Sequence, residues 1–272
     1  NFFNAGFGIS LNDAGKVAFR AVNNSPPSPQ VPALFVGSGT SAPSKVVAQG
    51  DAGPGGVGTV SLVPFRYQMN NAGQVAYVAG LNANPAPEGV FLATAGGARV
   101  PVALVGDAAP GTSGGTFSDF RETDIELNNT GRLAFWSRVA GPGAGTGFFL
   151  GSATSAPTAR LLEGQPLPGG GTAGAVVAGG NNFIGDFFTL ADSGEVGVAV
   201  LNVNGAPNLT RIVIAAPDGT LRLFAMTDES AHGTGSLFSG FMNPIVANSA
   251  GEFFFNGALV GGPARWGIFS EK

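Results

Sequence analysis

Apolar and polar positions alternate with a period of two in short runs along this chain, and clusters of Gly, Asn and Pro separate the runs. Such alternation marks half-buried strands. Gln74 to Val78 reads polar, apolar, small, aromatic, apolar. Asn71-Ala72-Gly73 before it supplies residues that tolerate the positive φ of a tight turn. Gly89 to Ala93 gives a further strand, and Thr94 to Gly97 a turn. Val100 to Val105 gives another strand, closed by Gly106-Asp107-Ala108-Ala109-Pro110-Gly111. No segment joins 3.6-residue periodicity to caps, so essentially no helix is expected.

The same grammar is written five times. Asn12-Asp13-Ala14-Gly15-Lys16-Val17-Ala18-Phe19 returns as Asn70-Asn71-Ala72-Gly73-Gln74-Val75-Ala76-Tyr77 and as Asn128-Asn129-Thr130-Gly131-Arg132-Leu133-Ala134-Phe135. Weaker copies centre on Gly194 and Gly251. Third-strand aromatics recur at Phe35, Phe91, Phe149 and Phe269, with Val213 in the fourth copy. Fourth strands are expected at 45–49, 100–105, 160–163 and 221–226. About four strands per repeat matches the size of a propeller blade. The expected fold is therefore a single all-β domain over 1–272, a five-bladed β-propeller with repeats of about 1–58, 59–116, 117–178, 179–236 and 237–272. The fifth copy stops before its fourth strand. Residues 1–8, which carry Phe2, Phe3 and Phe7, are expected to complete that blade in the same chain or in a neighbour.

The turn-strand N-D-x-G-x-V-A-F, the loop G-D-x-A-P-G at 106–111 and the lead-in Gly114-Gly115-Thr116-Phe117 together resemble a group of secreted bacterial repeat proteins. Members often carry a C-terminal sorting tail, which is absent here. The resemblance spans almost the whole chain and implies export and an extracellular or cell-surface role; it implies no activity. The fourth copy departs most, with Ala191 for Asn and Thr227-Asp228-Glu229 for the Gly-Asp loop.

Composition narrows the function classes. Of 272 residues, 44% are hydrophobic and 11% charged, and the formal net charge is −4. A mildly acidic chain with no basic stripe is not expected to bind nucleic acid. No apolar run is long enough for a membrane span. The absence of Cys excludes a disulfide scaffold and thiolate chemistry. The chain opens on Asn with no signal-peptide pattern, so either a removed targeting segment or a fragment is expected.

Candidate chemistry is sparse. Asp51, Asp107 and Asp228, with Gln165 at the matching place, would form a partial ring able to bind calcium through oxygens or to line a sugar site. The competing expectation is that each accepts backbone N–H groups in its own turn. The repeated Asn residues read chiefly as turn chemistry. Asp119, Glu122, Asp124 and Glu126 are the densest acids, as glycoside chemistry would need, but a solvated strand face also explains them. His232 is the only His and sits in a loop. Trp136 and Trp266 are candidates for contact with a partner or for core packing. The expected function is a non-enzymatic structural or interaction module at the cell surface, possessing no cofactor and binding itself or other surface proteins. A lectin-like glycan-binding propeller is the alternative, and a glycoside-active enzyme the third choice.

Overall fold

β-Branched and aromatic residues crowd the runs between turns, and these runs are the strands of an all-β chain. The structure is a computed structural model that describes residues 2–3, 9–23, 31–63, 66–84, 87–120, 124–174, 188–200, 203–204 and 209–270. The sole helical turn among them is the 3-10 turn Pro54–Gly56, as the missing 3.6-residue period requires. Neighbouring strands pair antiparallel, so short turns suffice to join them.

The chain divides into two compact units, Asn1–Gly143 with Leu150–Thr158, and Ala144–Phe149 with Ala159–Lys272. In the first unit, Val17–Asn23, Val31–Ser38 and Ser41–Ala48 run side by side as one sheet. Val75–Leu81, Glu88–Ala93 and Arg99–Leu104 form the next. Each sheet opens on a strand broken in two. Ile9–Leu11 pairs with Val17 to Phe19, and Tyr67–Met69 with Val75 to Tyr77. Val60–Leu62 pairs further along the same neighbour, at Gly80 and Leu81. Thr116–Asp119 and Ile125–Leu127 pair in the same broken manner with Arg132–Ala140.

In the second unit, Phe188–Leu190, Val196–Val200, Arg211–Ala215 and Leu221–Met226 form a four-stranded sheet. The last sheet runs Ser230–Ala231, Ser236–Ala247, Phe253–Val260, Trp266–Ser270, with Trp266–Ser270 at its edge. Here Ser236–Ala247 is continuous over twelve residues, with register shifts between Phe238 and Gly240 and between Met242 and Ile245. The fourth strands begin earlier than expected at Ser41–Ala48, Arg99–Leu104 and Thr158–Leu162, and match at Leu221–Met226.

The N-terminal segment corrects an expectation. Phe2 and Phe3 pair with Asn23 and Val22 in the first sheet, not with the last one. The cause is the broken opening strand: Ile9–Leu11 covers only half of Val17–Asn23, and Phe2–Phe3 takes the other half. Phe7 lies outside the described residues.

Sheets bury their faces against one another within each unit. In the first, Ala18, Leu34 and Val47 of one sheet meet Met69, Tyr77 and Phe91 of the next. In the second, Ile212, Ile214 and Ala225 meet Ile245, Phe253 and Phe255. Burial of this apolar surface supplies the driving force for folding.

Candidate binding surface

The repeated Asn turn is the most built polar feature of the first unit. Asn12, Asn70 and Asn128 are buried despite their polarity, so their amides need partners. Each side-chain carbonyl accepts the N–H four residues on, from Lys16, Gln74 and Arg132, at 2.9, 2.9 and 2.8 Å. Asn248 does the same for Glu252 at 2.9 Å. That is the expected turn chemistry. The side-chain NH2 does something the sequence did not announce. Asn12 donates to the backbone carbonyl of Asn70 at 3.2 Å, and Asn70 to that of Asn128 at 2.9 Å. Each turn is thereby fastened to the turn one repeat later.

Neighbouring positions reinforce these joints. The side-chain oxygen of Asn71 accepts Asp13 N–H at 3.0 Å, and that of Asn129 accepts Asn71 N–H at 2.9 Å. Ser10 Oγ accepts Met69 N–H at 2.9 Å, and Gln68 Oε1 accepts Leu127 N–H one repeat further. Of the acids that suggested glycoside chemistry, Asp124 and Glu126 belong to the same system, and Glu122 lies outside the described residues. Asp124 pairs with Arg66 at 3.2 Å, and Glu126 accepts from Gln68 Nε2 at 3.1 Å.

The loop acids are placed in their turns. Asp51, Asp107 and Gln165 each accept the N–H three residues back, from Ala48, Leu104 and Leu162. Asp51 also holds Lys45 Nζ at 2.8 Å and Arg99 at 3.2 Å. Partial burial opposes its ionisation, but the Lys45 and Ala48 hydrogen bonds and the charges of Lys45 and Arg99 outweigh it. They hold the carboxyl below its ordinary value. Asp228 does not occupy the matching place. Its N–H donates to Phe238, as those of Gly50, Gly106 and Gly164 donate to Val60, Phe117 and Ala173. Its φ is +67°, alone among described non-glycine residues in that region. Asp228 therefore stands in the glycine position, and Glu229 takes the place of Asp51 and Asp107. No cluster of three or more acids, His or Cys suited to a metal occurs among the described residues.

The two Trp residues separate. Trp136 is buried, as is Phe135 before it, because Arg132–Ala140 is covered on both faces through its middle. Its indole lies 5.7 Å from the Arg138 guanidinium. It is not available to a partner, which corrects its place among the contact candidates. Trp266 is exposed, on the edge strand of the last sheet. His232 is exposed in a turn. The side chains of Phe2 and Phe3 lie outside the described residues.

One cleft of about 250 Å3 lies between the first and second sheets. Lys16 and Lys45, two of the chain's three lysines, line it with Ser38, Ser41, Ser44 and Thr94. Val36, Val46 and Val75 give it apolar walls. No carboxylate lines it; it offers hydroxyl groups and the Lys16 ammonium, while the Lys45 ammonium is held by Asp51. The lysine at 16 is Gln74, Arg132, Glu195 and Glu252 in the other copies, so only the third copy repeats a basic residue there.

The fold and these joints define a repeat protein of antiparallel sheets whose recurrent polar residues fasten one repeat to the next. The chain belongs to the family of unknown function DUF7453, which matches residues 11–271. No curated protein matches it. Among solved structures it is similar to the AtxE2 isopeptidase, at 13% identity and a TM-score of 0.37 over 95% of this chain and 43% of that one. It is also similar to the subtype N11 neuraminidase-like protein of A/flat-faced bat/Peru/033/2010 (11% identity, TM-score 0.34, 96% and 85%). A glucose dehydrogenase gives 14% identity and a TM-score of 0.35 over 96% and 80%. The chain spans less than half the length of the isopeptidase.

Proposed function

We propose that this chain is a non-enzymatic interaction module built as a five-bladed β-propeller, exported and working outside the cell or on its surface. One observation carries the reading. The polar residues that recur from repeat to repeat, and would be the first candidates for chemistry, are engaged in the scaffold: Asn12, Asn70, Asp51, Asp107, Asp124 and Glu126 each hold a turn or a neighbouring repeat. Surfaces are then what distinguish one copy from another, and surfaces recognise partners. Export follows from the resemblance of the repeats to secreted bacterial proteins. The test is a screen of the purified chain against chromogenic glycosides and esters. No turnover is expected. Turnover that disappears in Asp124→Asn or Glu126→Gln, with folding intact, would make the chain an enzyme.

The Lys16–Lys45 cleft favours a second reading, a lectin-like module that takes a glycan carrying an anionic group. Hydroxyls for hydrogen bonds, an ammonium for charge and apolar walls for sugar faces are the elements of such a site. A glycan array names the ligand class. Loss of binding in Lys16→Met supports this reading, and binding unchanged by that substitution removes it.

A further inference from the structure

The two lysines that line the cleft between the first and second sheets are held differently. Lys45 Nζ lies 2.8 Å from one oxygen of Asp51. The other oxygen accepts Ala48 N–H at 2.9 Å and pairs with Arg99 at 3.2 Å. The carboxylate is thus fixed from three sides, and it holds Lys45 in turn. Lys16 makes no ion pair among the described residues. Its side chain reaches from the first sheet to the turn that opens the second, where a Cβ on Gly73 would stand 3.9 Å from its Nζ. Lys16 and Gly73 both line the cleft, so this ammonium is presented there uncompensated.

The remaining lining is apolar or neutral. Val75 and Ala93 are buried, and Val36 and Val46 half-buried. Ser38, Ser41, Ser44 and Thr94 supply hydroxyl groups, each able to donate and to accept. Ser38 Oγ meets Ser41 Oγ at 3.2 Å, which fixes two of these groups against each other. The cleft's 250 Å3 falls below the about 300–1,000 Å3 of pockets that enclose drug-sized ligands. One sugar ring suits it; a run of rings does not.

We infer that the cleft takes a single terminal sugar ring with one negative charge, a hexuronic acid residue, and that Asp51 sets the charge it accepts. This rests on the lectin-like reading above and names its ligand. Lys16 meets the carboxylate in a charge-assisted hydrogen bond. The hydroxyl groups meet those of the ring, and the valines meet its C–H groups. A phosphate ester carries about −1.5 to −2 at neutral pH and calls for a second cation. Lys45 is the other cation of the lining, and Asp51 cancels it. Asp51 is therefore a positioning residue: it acts through Lys45 and touches no ligand itself.

The experiment is isothermal titration calorimetry of the full chain at neutral pH with methyl glucuronide, methyl glucoside and glucose 6-phosphate. Circular dichroism confirms the fold of each variant. The glucuronide is expected to bind about tenfold tighter than either of the others, and to lose that advantage in Lys16→Met. Asp51→Asn keeps an oxygen for Ala48 N–H and frees Lys45. In it the affinity for glucose 6-phosphate relative to the glucuronide should rise about tenfold, a change of preference that a merely structural role would not produce. An unsubstituted chain that binds the glucoside or the phosphate as tightly as the glucuronide overturns the inference, and this arm needs no variant to fold. A folded Asp51→Asn with unchanged preference also overturns it. Binding of none of the three overturns it as well. If a glycan array then still yields a larger acidic glycan whose binding is lost in Lys16→Met, the lectin-like reading stands without this inference; if it yields none, both fall.

Discussion

Tyr77 is a buried residue whose hydroxyl has no hydrogen-bond partner among the described residues. Burial raises its pKa far above the ordinary value, and the phenol stays neutral. The first, third and fifth copies carry Phe at this place: Phe19, Phe135 and Phe255. Tyr77→Phe removes an unsatisfied polar atom and keeps the ring, so it should stabilise the protein by about 1 kcal/mol, read from the urea midpoint. Asp228 is strained differently, by a left-handed backbone. Asp228→Gly should gain up to about 1 kcal/mol by the same measurement, lessened by the greater freedom of Gly when unfolded. Asp51 makes stability depend on pH. Its folded pKa lies below the unfolded value, so its contribution is complete above the unfolded value of about 4 and fades as pH falls through the folded one. The urea midpoint should drop on acidification below about pH 4, and less steeply in Asp51→Asn. The exchange of Asp228 and Glu229 was hidden in the sequence because the fourth loop has no glycine to fix its register; only the backbone bonds reveal it.

At the scale of the element, the third strand has a rule of its own. Gly89 and Phe91, Gly147 and Phe149, and Gly267 and Phe269 repeat a Gly-x-Phe pattern. In each, a side chain on the glycine would meet the ring two residues on, at 2.9, 3.1 and 2.8 Å. The rings lie over the glycines, which is why the strands tolerate them. A Cβ on Gly89 would also stand 2.8 Å from the Ala103 carbonyl oxygen, a backbone atom that cannot swing away. Gly89→Val should cost about 2 kcal/mol by overpacking, seen as a lower melting temperature. The first copy has Ala33-x-Phe35 and the fourth Arg211-x-Val213, and in the fourth the buried guanidinium donates to the carbonyls of Gly169 and Gly170. Strands and turns were legible in the sequence because period-two alternation and Asn-x-x-Gly are local signals. The broken opening strand was not. It comes from register along a neighbour, and that is why Phe2 and Phe3 were expected on the last sheet rather than the first.

On the scale of the whole molecule, the repeats are joined by side chains as well as by apolar faces. The Asn side-chain carbonyl was legible as turn chemistry. The bond made by its NH2 was not, since a partner 58 residues away leaves no local mark. Trp136 was ambiguous for the same reason: alternation gives a side chain its face, but not what covers that face. The claim at the centre of this account is that the recurrent polar residues serve the scaffold and leave recognition to the surfaces. Asn70 and Asn248 test it most directly, because both hold a turn but Asn70 is buried and also fastens the next repeat. The measurement is the equilibrium unfolding free energy of Asn70→Ala and Asn248→Ala. The account predicts a loss of about 2–3 kcal/mol for Asn70→Ala and about 1 kcal/mol for Asn248→Ala. Equal and small losses, with binding of a ligand abolished in Asn70→Ala, would contradict it and make the Asn turn a recognition site.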